Sequence, residues 1–370
     1  MALFCHRHSR FSVCLTDMHI DTSSPIAWTD PSREAAFSTW VRQIGPRWQL
    51  ELSTLSPASA DASFRRYFRV HGQRGSAVDS FIVMDAAPPL EDVRPFVRVA
   101  ALLREAGLNV PQVLEADTDN GFLLLTDLGR QPYLQTLAGA TPSQADALMR
   151  DALQALVQMQ QRVPVSALGP YDEALLMREL DLFPRWCVQQ HFGVAWGPAQ
   201  FEAWTRVCRL LVDSALAQPV VIVHRDWMPR NLMVTDPNPG VLDFQDAVAG
   251  PITYDSASLL RDAFLSWEEE REIDWAIRGW ELQRKAGLPV SGDFAEHWRQ
   301  LEWMGLQRHL KVLGIFCRLQ HRDGKPAYAQ DLPRFFGYAT RVAMRYRELA
   351  PLLPLMAPLS GQAVGAGFTF

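Results

Sequence analysis

Residues 220–247 read VVIVHRDWMPRNLMVTDPNPGVLDFQDA, and the spacing of three side chains in this stretch points to a chemistry. Asp226 closes a His224-Arg225-Asp226 triplet, Asn231 stands five residues later, and Asp243 follows twelve residues after Asn231. Moving a phosphoryl group onto a hydroxyl requires a carboxylate that orients the hydroxyl and takes its proton. It also requires hard oxygen donors for a Mg²⁺ ion that bridges the leaving phosphates. Asp226 fits the first role, and Asn231 with Asp243 fits the second. Arg230, immediately before Asn231, is grouped with Asp226 as a catalytic candidate.

These residues have to be held by short strands. Val220–Val223 reads as a buried strand that feeds the loop, Leu232–Val234 as a second, and Val241-Leu242 as a third that ends at Asp243-Phe244. Asp236-Pro237-Asn238-Pro239-Gly240 supplies the turn that returns Asp243 to the side of Asn231. Upstream, Asp30-Pro31-Ser32 starts a helix that runs to Trp48, with Phe37, Trp40, Val41 and Ile44 at helical spacing. Strands are expected at Leu50–Leu55, Arg66–Val70 and Phe81–Met84, separated by turn-rich segments at Pro57–Ala62 and His71–Ser80. A helix over Glu91–Ala106 leads to a hairpin, Val113–Ala116 with Phe122–Thr126, across Asp119-Asn120-Gly121. Helices then dominate, at Ser143–Arg162, Glu173–Phe192, Pro198–Ala217 and beyond Ser256. The pattern predicts an α+β chain with a strand-rich N-lobe (30–126), a hinge (127–129) and a helical C-lobe (130–360). Residues 1–29 and 361–370 are read as tails, with the first 17 residues either an extension ahead of Met18 or disordered.

Composition narrows the class. Apolar residues make up 48% and charged residues 21% of 370, which is globular usage. The apolar stretch Leu349–Leu359 is broken by Pro351, Pro354 and Pro358, so no membrane span is expected. The five cysteines are scattered and never form a CxxC pair, which argues against zinc and for a reducing cytoplasm. Net charge is −5, yet residues 301–350 hold nine Lys or Arg against four Asp or Glu. The overall acidity argues against nucleic acid as a partner. A monomer that acts on a small molecule is expected.

His224–Ala247, followed by Gly250-Pro251 and Tyr254-Asp255, resembles the aminoglycoside phosphotransferase and choline kinase-like family over about residues 50–320. The resemblance implies a bilobal, protein-kinase-like fold that uses ATP or GTP with Mg²⁺. It also implies that Asp255 braces the catalytic loop through backbone hydrogen bonds, with His224 as a second structural residue. Leu123–Gly129 is similar to the family's hinge, so Thr126, Asp127 and Leu128 would hold the adenine. One departure is plain: the third strand reads Phe81-Ile82-Val83-Met84-Asp85, and Met84 stands where the family's nucleotide-holding lysine should be. The helix residue that would pair with such a lysine falls near Phe96, and the first lysine in the chain is Lys285. The phosphates would then be held by backbone N–H groups of the small-residue loop Pro57–Ser63 (Ser59, Ala60 and Ser63) and by an arginine. Arg66 is the first choice, and Arg65 and Arg69 lie on the opposite strand face.

The segments SFIVMDAAPP, FRRYFRV, GVLDFQDAVAGPITYDSASLLRD and QRHLKVLGIFCRL are similar to one branch of this family. That branch phosphorylates the anomeric C1 hydroxyl of free N-acetylated amino sugars in bacterial cell-wall recycling. It shares the missing lysine. Glu179, Arg185 and Trp186 of MRELDLFPRW, Gln245 and Asp246 beside the metal ligands, and Arg308 of the basic stretch are the candidates for the sugar pocket. A solvated stripe is the competing reading of Arg308-His309-Leu310-Lys311. Kinases for another small alcohol, such as choline, homoserine or an antibiotic, stay open. So does a nucleotide-binding scaffold without turnover, although the intact Asp226, Asn231 and Asp243 speak against it.

Overall fold

The computed structural model describes residues 26–59, 64–75 and 77–360. Ala60, Ser63 and both expected tails up to Pro25 and beyond Ser360 lie outside these residues. The chain forms two compact units, one containing the segments up to Val97 and Pro111–Asp127, the other Arg98–Val110 and everything from Leu128.

The first unit begins with helix α1 (Pro31–Trp48), opened by the Asp30 carboxylate, which accepts the Ser32 backbone N–H at 2.8 Å. Five antiparallel strands follow: β1 (Glu51–Ser59), β2 (Arg66–Arg74), β3 (Ala77–Asp85), β4 (Val113–Asp117) and β5 (Phe122–Thr126), in the order β1-β2-β3-β5-β4. Phe37, Trp40 and Val41 of α1 pack on Phe68, Val70, Phe81, Val83, Phe122 and Leu124, which all face one side of the sheet. The strands run further than their composition suggested. Residues 71–80 were expected as a turn, but β2 and β3 stay paired from Arg66↔Asp85 to Arg74↔Ala77, turning at Gly75 with φ of 66°. The ribbon's tip is polar because it meets water, not because it leaves the sheet. Pro57 sits inside β1, which tolerates it as an edge strand. At the β4–β5 hairpin Gly121 has φ of 71°, and a Cβ there would stand 1.9 Å from the Ala86 carbonyl oxygen.

Helix α2 (Arg94–Glu105) carries the chain from the first unit into the second. The second unit contains α3 (Tyr133–Ala138), α4 (Pro142–Arg162), α5 (Glu173–Leu180), a π-helix (Phe183–His191) and α6 (Pro198–Leu216). The expected single helix Glu173–Phe192 is thus two pieces, with Pro184 at the start of the π-turns. Four short strands follow, β6 (Val220–Val223), β7 (Leu232–Met233), β8 (Gly240–Val241) and β9 (Val248–Pro251), then α7 (Tyr254–Leu260) and α8 (Glu269–Lys285). At the centre lies α9 (Phe294–Asp323), followed by α10 (Leu332–Arg345) and α11 (Leu353–Ser360). From Leu301 to Gly314 every residue of α9 is buried, including Arg308, His309 and Lys311, so the basic stretch is no solvated stripe. No helix among the described residues is long and apolar enough to cross a membrane.

Candidate active site

β6 and β9 pair antiparallel, Val223 opposite Val248, and β7 pairs with β8, Leu232 opposite Val241. Between β6 and β7 the chain leaves the sheet as the loop that carries Asp226. This loop is braced from below by Asp255 at the start of α7. Its fully buried carboxylate accepts the backbone N–H of His224 at 2.6 Å and of Arg225 at 3.0 Å. Burial pushes the Asp255 carboxyl up to about 7, against the pull of those two donors. The His224 ring is buried, and burial pushes it down to about 4, so it is neutral. Its Nδ1 accepts the Asp226 backbone N–H at 3.3 Å, which leaves Nε2–H to donate to the Leu242 carbonyl at 3.0 Å. One imidazole thereby ties the loop to the segment that ends in Asp243.

Asn231 completes the tie. Its amide nitrogen donates to the Asp226 carbonyl at 3.0 Å and lies 3.4 Å from Asp243 Oδ2, so the nitrogen is committed to the protein. Asp243 has φ of 64°, and its Oδ1 accepts from Gln245 Nε2 at 2.9 Å. Gln245 also reaches Asp246 Oδ2 at 3.4 Å, and its own Oε1 is buried without a partner among the described residues. No group of three or more His, Cys, Asp or Glu able to hold a metal occurs among the described residues. The oxygen set of Asn231 and Asp243, with the orphaned Gln245 Oε1 beside it, nevertheless suits Mg²⁺. That ion takes one or two protein oxygens and completes its shell with water and phosphate.

Beneath the loop lies a buried ionic cluster. Arg225 has φ of 76° and reaches Glu179 Oε1 at 2.5 Å. Glu179 also holds Lys311 Nζ at 2.9 Å, accepts the Tyr171 hydroxyl on Oε2, and lies 3.4 Å from Gln307 Nε2. Burial alone would push the Glu179 carboxyl up, but Lys311 and Arg225 hold it below the usual carboxylate value. Lys311 further donates to the Tyr254 hydroxyl at 3.1 Å. Gly250 of β9 makes room for this arrangement, since a Cβ there would stand 2.9 Å from the Cβ of Tyr171.

The structure thus gathers Asp226, Asn231, Asp243, Gln245, Asp246, His224, Asp255 and Glu179 into one connected set. Arg308 joins it with only 2% exposure, its Nη2 lying 3.8 Å from Asp226 Oδ1. Arg230 lies with its guanidinium 5.4 Å over the Phe264 ring. Arg185 and Trp186 sit on the π-helix, with Arg185 exposed and Trp186 packed on the helical core. Neither enters the set among the described residues.

In the first unit, Met84 is fully buried in register with Tyr67 and Leu123. Thr126 exchanges hydrogen bonds with Gln112, and the Asp127 carboxylate accepts from Arg69 Nη2 at 2.9 Å and from Ser80 at 2.7 Å. Leu128 opens the second unit, and Ser59 ends β1 opposite Tyr67. Arg66 lies on the α1 face, paired with Asp85 together with Arg33 and stacked 3.8 Å from the Trp28 ring, while Arg65 pairs with Glu91. Sequence reasoning passed over Arg225, Tyr171 and Lys311. The one available signal was Lys311 three residues after Arg308, on the same helix face.

Residues 54–297 match the family model described as APH, the phosphotransferase enzyme family. The chain is 53% identical over 338 residues to N-acetylmuramate/N-acetylglucosamine kinase of Pseudomonas aeruginosa, covering 90% of this chain and 98% of that protein. With the protein of the same name from Neisseria meningitidis it shares 46% over 340 residues, covering 91% and 99%. Among solved structures, a choline kinase from Streptococcus pneumoniae superimposes with a TM-score of 0.55 at 13% identity, covering 83% of this chain and 99% of that one. An ADP-bound aminoglycoside phosphotransferase gives 0.52 at 13%, covering 85% and 99%. At such identities the likeness is one of fold, and the fold is the protein-kinase-like one expected from the sequence.

Proposed function

The chain belongs to the APH phosphotransferase enzyme family, and we propose that it moves the γ-phosphoryl group of ATP onto the anomeric C1 hydroxyl of N-acetylmuramate and N-acetylglucosamine. One observation carries the chemistry. The Asp226 side chain is 41% exposed, on a loop whose backbone is fixed by Asp255, His224 and Asn231. A carboxylate open to solvent on an otherwise immobile loop is placed to receive an incoming hydroxyl. The choice of acceptor is supported by the curated relatives, which bear that substrate in their names.

In the reaction the hydroxyl proton passes to Asp226 as the sugar oxygen bonds to the γ-phosphorus. The bond from that phosphorus to the bridging oxygen breaks, and ADP leaves. Asn231 and Asp243 would hold Mg²⁺, which when bound offsets phosphate charge. His224 and Asp255 keep the loop in place. An anomeric hydroxyl is more acidic than an ordinary alcohol, so a carboxylate base suffices. We place the reaction in the cytoplasm, as a step that reclaims amino sugars from the cell wall.

A panel of free sugars, choline, homoserine and aminoglycosides, scored by ADP release with Mg²⁺, tests this reading. Turnover is expected with the two N-acetylated amino sugars and lost on adding EDTA. Asp226→Asn should lower it by about a hundredfold or more with ADP binding kept. Turnover on another acceptor alone would overturn the assignment of substrate.

A further inference from the structure

A kinase site needs positive charge near the transferring phosphoryl group, because negative charge spreads over its oxygens in the transition state. This chain has no lysine before Lys285, and the strand position that would carry one holds the buried Met84. The arginines that follow the small-residue loop are engaged with carboxylates: Arg65 with Glu91, Arg66 with Asp85, Arg69 with Asp127.

In the helical unit Arg308 is different. It is 2% exposed, and its Nη1 is buried with no hydrogen-bond partner among the described residues. Its Nη2 stops 3.8 Å from Asp226 Oδ1, too far for a hydrogen bond. A buried guanidinium costs free energy unless its donors are used, and the unmade donor here lies beside the Asp226 carboxylate. An acceptor oxygen hydrogen-bonded to Asp226 would fall within reach of that same guanidinium. The nearest carboxylate to Arg308 is that of Asp226, so its open donor faces the place where the hydroxyl reacts and not a separate carboxylate pocket. Charge that appears only during transfer is met by a donor already in place.

We propose that Arg308 is a catalytic residue that donates through Nη1 to the oxygen gaining negative charge as the phosphoryl group moves. The inference rests on the kinase reading above. Sequence reasoning placed Arg308 with the sugar pocket; its position beside Asp226 assigns it to the reacting oxygens.

The test compares Arg308→Lys and Arg308→Met with the wild type on N-acetylmuramate, which carries a carboxylate, and N-acetylglucosamine, which does not. Sugar binding to each variant is measured by calorimetry and folding by thermal melting. Absence of wild-type turnover on every acceptor would overturn the kinase reading and this proposal with it. Given wild-type turnover, Arg308→Met should lose about 100- to 1,000-fold in kcat on both sugars, as for loss of one transition-state donor. Sugar affinity should stay within about threefold, and Arg308→Lys should recover at least about tenfold of the loss. If Arg308→Met does not fold, Arg308→Lys decides alone, and an equal drop in kcat on both sugars at unchanged affinity supports the proposal. A loss confined to N-acetylmuramate and seen in affinity would overturn the proposal in favour of a carboxylate-binding role. Near-normal kcat in a folded variant would overturn it outright.

Discussion

Two buried ionic clusters share helix α9 and are built differently. Around Glu179 one carboxylate meets two cations and two further donors, so both of its oxygens are engaged. Around Arg261 one guanidinium lies between Glu272 at 3.1 Å and Glu302 at 2.9 Å, and Arg345 and Tyr346 close on Glu302 from α10 and just beyond it. Here Arg261 Nη1 and Glu272 Oε1 stay unpartnered among the described residues. The first cluster ends on the loop that carries Asp226, through Arg225. The second joins the end of α7 to α8, α9 and α10. Desolvation cancels most of the Coulomb gain of buried ion pairs, so neither cluster is kept for stability alone. Arg225 Nε and Gln307 Oε1 of the first cluster stay unpartnered among the described residues as well. What separates the two is the central charge and where each ends, a carboxylate tied to the Asp226 loop in one and a guanidinium tied among helices in the other.

The largest effect is expected from Glu179→Ala, which leaves Arg225 and Lys311 buried without their counter-ion. Stability should fall by about 3–5 kcal/mol in denaturant unfolding, and kcat per folded molecule should fall more than about tenfold. Arg261→Met, which takes the nearest cation from Glu272 while Glu302 keeps Arg345 and Tyr346, should cost about 3 kcal/mol while kcat per folded molecule stays within about twofold. Equal loss of kcat in both variants would erase the distinction between the clusters.

Acid should strain both. His224 sits in the loop above the first cluster, and His309 lies against the Arg261 carbonyl in the second. Burial depresses both, His224 to about 4 and His309 well below its ordinary value. A histidine depressed on folding contributes stability that is complete above about pH 6.5 and is lost as pH falls through the folded value. Each should contribute a slope of about 1.4 kcal/mol per pH unit in that window. Asp255, raised to about 7, runs the other way, its contribution present below its unfolded value and lost as pH rises through 7. Glu179, held low, adds to acid sensitivity only below the ordinary carboxylate range. Urea unfolding between about pH 4.5 and 8 should therefore steepen on the acid side, and His224→Gln should flatten it.

The smallest effect is expected from Lys311→Met. It removes one of the two cations of Glu179 and leaves Arg225 in place, so stability should fall by about 1–2 kcal/mol and kcat only severalfold. A kcat as low as that of Glu179→Ala would mean that Lys311, not Arg225, carries the link to the loop.

The parts legible in the sequence were those that local pattern dictates. Asp30-Pro31-Ser32 marked a helix start, Asp119-Asn120-Gly121 a hairpin, and the run from His224 to Phe244 a loop and ribbon, because caps, turns and alternation are short-range effects. Strand β9 was not legible because Val248-Ala249-Gly250-Pro251 is too short and too small-residued to signal pairing; its partner β6 lies 25 residues upstream, with Val223 opposite Val248. The basic stretch of α9 was hard to read because Lys and Arg are normally solvated. Only the fold brings Glu179, 132 residues before Lys311, to its ammonium. Arg66 was expected at the phosphates, and alternation correctly set it on the face opposite Arg69, but nothing local told that Asp85 and Trp28 would take it up.

Two of the side chains that build the site, Arg225 and Asp243, hold left-handed backbone at φ of 76° and 64°. For any residue with a Cβ this costs about 1–2 kcal/mol each, and only glycine escapes it. Glycine at 225 would relax the backbone but take a cation from the buried Glu179, so relief and loss offset. Glycine at 243 would relax the backbone and remove an oxygen donor of the proposed metal site, so a selection for heat tolerance alone would favour it at the expense of turnover. Activity in this molecule is thus held against the preference of its own backbone, and its upkeep depends on a pressure that stability cannot supply.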